Sequence, residues 1–269
     1  MRAVVCIKQV PDTTEIRIDP KTNTMVRTGV PSILNPCCAH AVEEALRLRD
    51  QFGGSGAVLT MVPPQATEAL RRCLAYGADE AILLSDRAFA GADTLATSYA
   101  VATAIRRLGD VDIVLAGKYA LDGDTGQVGP GVAQRLGFEQ LTSVVKIDEI
   151  DFAARTIQVQ RQVEEGREVV RTRLPALLTV CKELNEIRYP SLPNVLRSLR
   201  QEVPAWTREF IGADPDQCGL RGSPTIVSRS FTPPPRVVDT EYLDTKNGVE
   251  QACRQLLDRL ERRGVAVHV

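Results

Sequence analysis

Asp112-Ile113-Val114-Leu115-Ala116-Gly117-Lys118-Tyr119-Ala120-Leu121-Asp122-Gly123-Asp124-Thr125-Gly126-Gln127-Val128-Gly129-Pro130 is the stretch on which the reading of this chain turns. Its first third is a short apolar run closed by glycine, the pattern of a strand buried on both faces in a parallel sheet. The remainder is a glycine-rich loop running into a helix. A loop at the carboxyl end of a parallel strand that enters a helix offers unpaired backbone N–H groups and the positive end of the helix dipole to an anion, so a phosphate or pyrophosphate fits there. Gly123, Gly126 and Gly129 let the backbone come close, and Thr125 and Gln127 can add side-chain hydrogen bonds. The plainer alternative is a glycine-rich turn between two elements. No G-x-x-x-x-G-K-[ST] occurs, and no G-x-G-x-x-G follows the first strand, so a P-loop NTPase and an ordinary nicotinamide dehydrogenase both lose support.

Outward from this stretch, apolar β-branched runs alternate with amphipathic segments, which predicts an α/β fold with a parallel sheet covered by helices. Strands are expected at Ala3 to Val10, Ala57 to Val62 and Glu80 to Leu84. Helices are expected from Pro36 to about Phe52, from Gln65 to Tyr76 before Gly77, from Thr94 to Leu108 behind the cap Asp93, and from Val128 to Leu136 before Gly137. Asn35-Pro36 reads as a helix cap followed by proline at the first helical position. Asp19-Pro20-Lys21-Thr22-Asn23 predicts a small hairpin ahead of it. Ser143 to Ile150, Thr156 to Val163 and Glu168 to Thr172 read as antiparallel strands, and Leu177 to Val180 as a return to the main sheet. Asn35-Pro36 and Met61-Val62-Pro63-Pro64 follow strands directly and are expected to rim the same crevice as the Asp122 loop.

Beyond Cys181 the character changes. Eight of the sixteen prolines lie there: Pro190, Pro193, Pro204, Pro215, Pro224 and the triplet Pro233 to Pro235. Few strands are expected in such a segment, whose dispersed leucines, valines, Trp206 and Phe210 predict an extended arm laid on another surface. Only Thr245 to Arg263 reads as helical, with Val249, Cys253, Leu256, Leu257 and Leu260 on one face. The expected division is an α/β body over 1–184 and an arm over 185–269 that ends in this helix.

The 269 residues carry 33 Lys and Arg against 34 Asp and Glu, a net charge of −1, so no overall positive field exists to hold nucleic acid or an anionic membrane. Apolar runs such as Ala81 to Leu84 fall far short of the roughly twenty residues that span a bilayer. Met1 to Lys8 lacks the long apolar region and small-residue cleavage site of a signal peptide, so a cytoplasmic location is expected. Seven cysteines at 6, 37, 38, 73, 181, 218 and 253 form no C-x-x-C and are joined only by His40 and His268. Buried reduced thiols are expected, with no metal site and no disulfide framework. The scarcity of histidine also argues against Ser-His-Asp or Cys-His catalysis.

Four motifs carry a family resemblance: Asn35-Pro36 followed by Ala41-Val42-Glu43-Glu44-Ala45; Tyr76-Gly77-Ala78-Asp79; Gly117-Lys118 with Asp122 to Gly129; and Asn185-Glu186-Ile187-Arg188-Tyr189-Pro190-Ser191-Leu192-Pro193-Asn194. In order and spacing, across essentially the whole chain, they resemble the β subunit of electron transfer flavoprotein. The resemblance implies a Rossmann-like, open, mostly parallel sheet of the adenine-nucleotide-hydrolase-like kind, with helices on both faces. It also implies an α-subunit partner around which the arm wraps. In family members that hold structural AMP the loop tends to carry Asp-Asp-Asp. Gly123 departs from that and resembles the electron-bifurcating members, whose β subunit holds an FAD that accepts hydride from NADH. Val62, in place of a more usual glycine, and Cys37-Cys38 are further departures.

The cofactor-binding residues so implied are Cys6, Lys8, Asn35, Met61, Val62, Gly117, Asp122, Gly123, Asp124, Thr125, Gly126, Gln127, Val128, Gly129 and Pro130. The expected cofactor is FAD, with AMP as the alternative and NADH as electron donor. No side chain of the chain's own is expected to be catalytic. The resemblance implies an acyl-CoA dehydrogenase or a quinone oxidoreductase as electron partner, and Leu192 as the anchor in a recognition loop for acyl-CoA dehydrogenases, with Arg188, Arg197 and Arg200 as a basic rim. A single-chain adenine-nucleotide binder resembling universal stress proteins is the other reading, against which the long arm argues.

Overall fold

Strand β1 (Arg2–Cys6) has no side that faces water: Ala3 and Val5 enter one apolar cluster and Val4 enters another. A strand of this kind needs cover on both faces, which is the condition of a parallel sheet between helix layers. The computed structural model, which describes residues 1–12, 31–64, 67–228, 240, 242–246 and 248–265, meets it. Helices α1 (Pro36–Phe52) and α2 (Glu68–Tyr76) close one face, and α3 (Thr94–Leu108) and α4 (Val128–Leu136) close the other.

The strands between them are β4 (Ser55–Met61), β5 (Glu80–Leu84) and β6 (Ile113–Gly117), followed by β7 (Glu139–Asp151), β8 (Thr156–Val163), β9 (Gly166–Arg173), β10 (Ala176–Val180) and, later, β11 (Ala205–Trp206). With β1 they form one nine-stranded sheet in the order β11-β5-β4-β1-β6-β10-β7-β8-β9. All pairs are parallel except β7 with β8 and β8 with β9. The chain steps outward from β1 through β4 to β5, then recrosses by α3 to place β6 on the other side of β1. That reversal opens a crevice at the carboxyl ends of β1 and β6, where open α/β sheets bind ligands.

Several expectations need adjustment. The first strand stops at Cys6, because the chain leaves the sheet at Ile7, whose carbonyl accepts the buried Thr60 hydroxyl at 2.8 Å. Residues 9–11 then pair as β2 (Gln9–Pro11) with β3 (Ser32–Leu34) in a separate ladder. The predicted turn at Asp19 to Asn23 and the helix start at Gln65 lie outside the described residues. Strand β7 begins at Glu139 and pairs first in parallel with β10. Ser143 then takes a left-handed φ of 57° and donates its N–H to Thr179 Oγ1, and the strand continues antiparallel to β8.

The larger correction lies after Cys181. Helix α5 (Leu192–Arg200) and the short α6 (Arg208–Ile211) form, and β11 joins the sheet edge. Proline content misled because Pro193 sits in the first turn of α5 behind the Ser191 cap, where its missing N–H costs nothing. Pro204 likewise gives only its carbonyl, to Leu83 N–H at 3.0 Å. The contacts accordingly divide the chain into one unit over Met1–Ser230 and a second over Phe231–Val269, and not at 184. The second unit contains α7 (Val249–Arg262), close to the expected helix.

Gly117 shows how tightly the crevice floor is built. A Cβ there would stand 2.9 Å from the Cys37 carbonyl carbon, Cys37 Cβ and Cys38 N, so β6 meets the first turn of α1 without room for a side chain. Gly117→Ala is expected to lower stability by about 1–3 kcal/mol through overpacking, read as a lower denaturant midpoint at unchanged m-value.

Candidate functional site

The loop after β6 is held in two halves of opposite character. The first half is tied to its surroundings. Lys118 N–H continues the ladder to Val180 O at 2.9 Å, and Gly123 and Asp124 N–H both return to Ala120 O. Asn35, fully buried, donates Nδ2 to Tyr119 O at 2.8 Å and accepts Leu121 N–H at 3.1 Å. Lys8, just past β1, places Nζ 2.7 Å from Asp122 Oδ1, whose side chain is nearly buried. Asn35 occupies the N-cap position of α1 as expected, but its side chain makes no cap bond. It spends its amide on the loop and on Cys38 Sγ, which its Nδ2 reaches at 3.3 Å.

In the second half the anchors stop. Among the described residues nothing accepts the backbone N–H groups of Thr125, Gly126, Gln127, Val128 and Gly129. Gln127 stands at the N-cap of α4 without capping it, because its Oε1 accepts the Thr94 hydroxyl at 2.8 Å. Gly126 takes a φ of 62°, and a Cβ on Gly129 would lie 2.6 Å from Thr179 Cγ2, so α4 seats close upon β10. Pro130 has no N–H to offer and its fixed φ suits a first turn. The result is a rigid turn leading to uncapped amides at the positive end of a nine-residue helix, a ready acceptor of anionic oxygens. Around Gly123 a Cβ would meet nothing within 4 Å, so the loop's outer side is open.

Thiols surround the floor of the crevice and are held neutral. Burial pushes Cys6 up to about 12, with Cys38 adding to the effect. Burial also raises Cys38, against hydrogen bonds from Asn35 and backbone N–H groups, and raises Cys37, against nearby Lys182. They serve as small apolar packing groups, free of disulfides. No cluster able to hold a metal ion exists among the described residues.

The candidates do not all converge. Lys8, Asn35, Gly117 and Asp122 are brought together by direct contact. Met61 ends β4, two strands from β6, Val62 follows it with its N–H bonded to Leu84 O, and neither bonds the loop. Of the partner residues, Leu192 opens α5 and is 71% exposed. Of the arginines expected to form a basic rim, Arg188 is half-buried and grips Glu43 and Asp50, while Arg197 stays exposed and reaches Ala78 O at 3.0 Å. Arg200 alone of the three makes no bond to a described residue. Tyr119, Leu121 and Thr94 were missed because they act through a carbonyl, an amide and a remote hydroxyl, for which the sequence carries no signal.

This crevice, with its loop and uncapped helix, has close relatives. The electron transfer flavoprotein domain matches residues 22–210. The chain belongs to the electron transfer flavoprotein family. It is 53% identical over 249 residues to Protein FixA of Azorhizobium caulinodans, covering 91% of this chain and 89% of that one. To the caffeyl-CoA reductase-Etf complex subunit CarD of Acetobacterium woodii it is 53% identical over 266 residues, 98% and 100% of the two chains. To the electron transfer flavoprotein subunit beta of Clostridium acetobutylicum it is 51% identical over 232 residues, 86% and 88% of the two. The chain is thus a β-type member of an electron-transfer family. No helix among the described residues is long and apolar enough to cross a membrane.

Asn35→Ala in this electron transfer flavoprotein subunit strands the Tyr119 carbonyl and the Leu121 amide. A loss of about 2–4 kcal/mol in unfolding free energy is expected from two unpaired buried groups, together with faster hydrogen exchange confined to the 118–124 loop.

Proposed function

We propose that the chain is the β subunit of a heterodimeric electron transfer flavoprotein and that the uncapped amides of Thr125 to Gly129 hold the pyrophosphate of FAD. The observation that carries this reading is the open space at Gly123 beside a fixed turn. A dinucleotide needs room to continue past its phosphates, and at this position a carboxylate would supply both bulk and like charge. FAD, when bound, supplies the capacity to accept hydride from NADH and to divide electrons between a high- and a low-potential acceptor. This chain's own residues bind and orient. Lys8 neutralises Asp122, Asn35 fixes the turn, and the α4 terminus attracts the phosphates.

The α5 face suits an electron partner. Leu192, Leu196 and Leu199 stand exposed at helical spacing, a surface for a flavoprotein of the acyl-CoA dehydrogenase type. The name of the Acetobacterium relative, a subunit of a caffeyl-CoA reductase complex, points the same way. A cytoplasmic location and an α subunit covered by the 231–269 unit complete the reading.

Flavin stoichiometry of the purified complex tests it. Two flavins per heterodimer, with NADH-driven reduction, are expected; one flavin with bound AMP selects the non-bifurcating alternative. A Cβ at Gly123 meets no atom of the chain, so Gly123→Asp acts on the bound group and not on the loop: loss of the β-site flavin with the α-site one retained is expected. Thr125→Val should weaken that site by roughly 1–3 kcal/mol if its hydroxyl meets a phosphate oxygen. Two retained flavins and undiminished NADH oxidation in Gly123→Asp would remove the loop from the FAD site.

A further inference from the structure

Helix α1 carries two adjacent carboxylates, Glu43 and Glu44, that are both buried. Such groups are tolerated inside only when fully paired; Glu44 has Arg47 of its own helix at 3.5 Å, and the segment before α5 supplies the other partners. Glu43 receives three donors from Arg188: the backbone N–H at 3.1 Å, Nε at 2.8 Å and Nη2 at 3.1 Å. The remaining arm of the guanidinium reaches Asp50 at 2.8 Å. Glu44 accepts Asn185 Nδ2 at 2.8 Å, and Asn185 is itself fixed by His40, through Nδ1 at 2.9 Å from its Oδ1 and through the His40 carbonyl at 3.0 Å from its Nδ2.

Past this latch, the far half of α5 is fastened to α2 and the turn after it. Arg71 donates to Ser198 O at 2.6 Å, Arg197 to Ala78 O at 3.0 Å, and Gln201 to Asp79 O at 2.8 Å. What these bonds hold is a helix turned inside out, with Ser198 buried while Leu192, Leu196 and Leu199 face water. Hydrophobicity alone would roll such a helix over. Directional polar contacts at both ends oppose that roll.

We propose that Glu43 and Glu44 are positioning residues for electron delivery: through Arg188 and Asn185 they hold α5 with its leucines outward. Because α1 also meets Gly117 and the Asn35-bound loop at its first turn, one helix sets the docking face and the cofactor loop in a fixed relation. The inference rests on the reading of α5 as the docking face.

The test compares Glu43→Gln and Leu192→Ala in the complete complex with its α subunit, with an acyl-CoA dehydrogenase as electron acceptor. Glu43→Gln keeps the shape but turns an amide N–H toward the guanidinium. It is expected to accelerate amide exchange across 189–201 and to raise the acceptor KM by about tenfold, a change of about 1.4 kcal/mol, with kcat and flavin content unchanged. Leu192→Ala is expected to raise the acceptor KM with exchange unchanged. Wild-type exchange in Glu43→Gln, or a fall in kcat and melting temperature together without a KM change, overturns the latch. An unchanged acceptor KM in Leu192→Ala overturns the docking role of α5 instead. Should Glu43→Gln fail to yield folded complex, Arg188→Lys, which keeps the charge and loses the fork, carries the same comparison.

Discussion

A primary amide sealed from water must find partners for its donors and its acceptor, and at Asn35 those partners are the backbone of the loop across the crevice. Much of the site follows from this pairing. It forces the turn at Tyr119 to Leu121 against the start of α1, which in turn is why Gly117 has no room for a side chain. It also leaves α1 without a side-chain cap, its first turn pressed against β6 instead. The fixed turn then delivers the chain to α4 with its amides unspent. Order in the first half of the loop is the condition for openness in the second.

The sheet itself was legible because its core strands are short, mostly apolar runs buried on both faces. Glu80–Leu84, Thr94–Leu108 and Val128–Leu136 stand where periodicity put them. What could not be read was anything that depends on pairing between distant residues. The bulge at Ser143 needs Thr179, thirty-six residues on, and β11 exists only because β5 presents a free edge. Helix α5 was missed for a different reason. Its prolines suggested a break, and its leucines follow helical spacing but face outward, so the usual inference from periodicity to burial did not apply. In the candidate site, the glycines announced a loop of close-approaching backbone, whereas the bonds that Arg188 and Arg197 make could not be read from sequence. Both are held by carboxylates or carbonyls that lie more than a hundred residues away in sequence.

One carboxylate of the crevice is neutralised by a neighbouring lysine. Asp122 is matched by Lys8, the thiols of Cys6, Cys37 and Cys38 stay protonated, and the attraction for an anion comes from backbone dipoles. Dipolar attraction acts at short range, and it gives a preference for a phosphate seated on the helix end over a charge merely nearby.

The two margins of the sheet are closed to growth by different means. At one, β11 is only two residues long. At the other, β9 sets Arg167, Glu168, Arg171 and Arg173 along an edge that no described strand covers. Short or heavily charged edges discourage a further strand from annealing. Association by sheet extension is therefore discouraged at both described edges, which keeps so large a sheet from growing by strand addition.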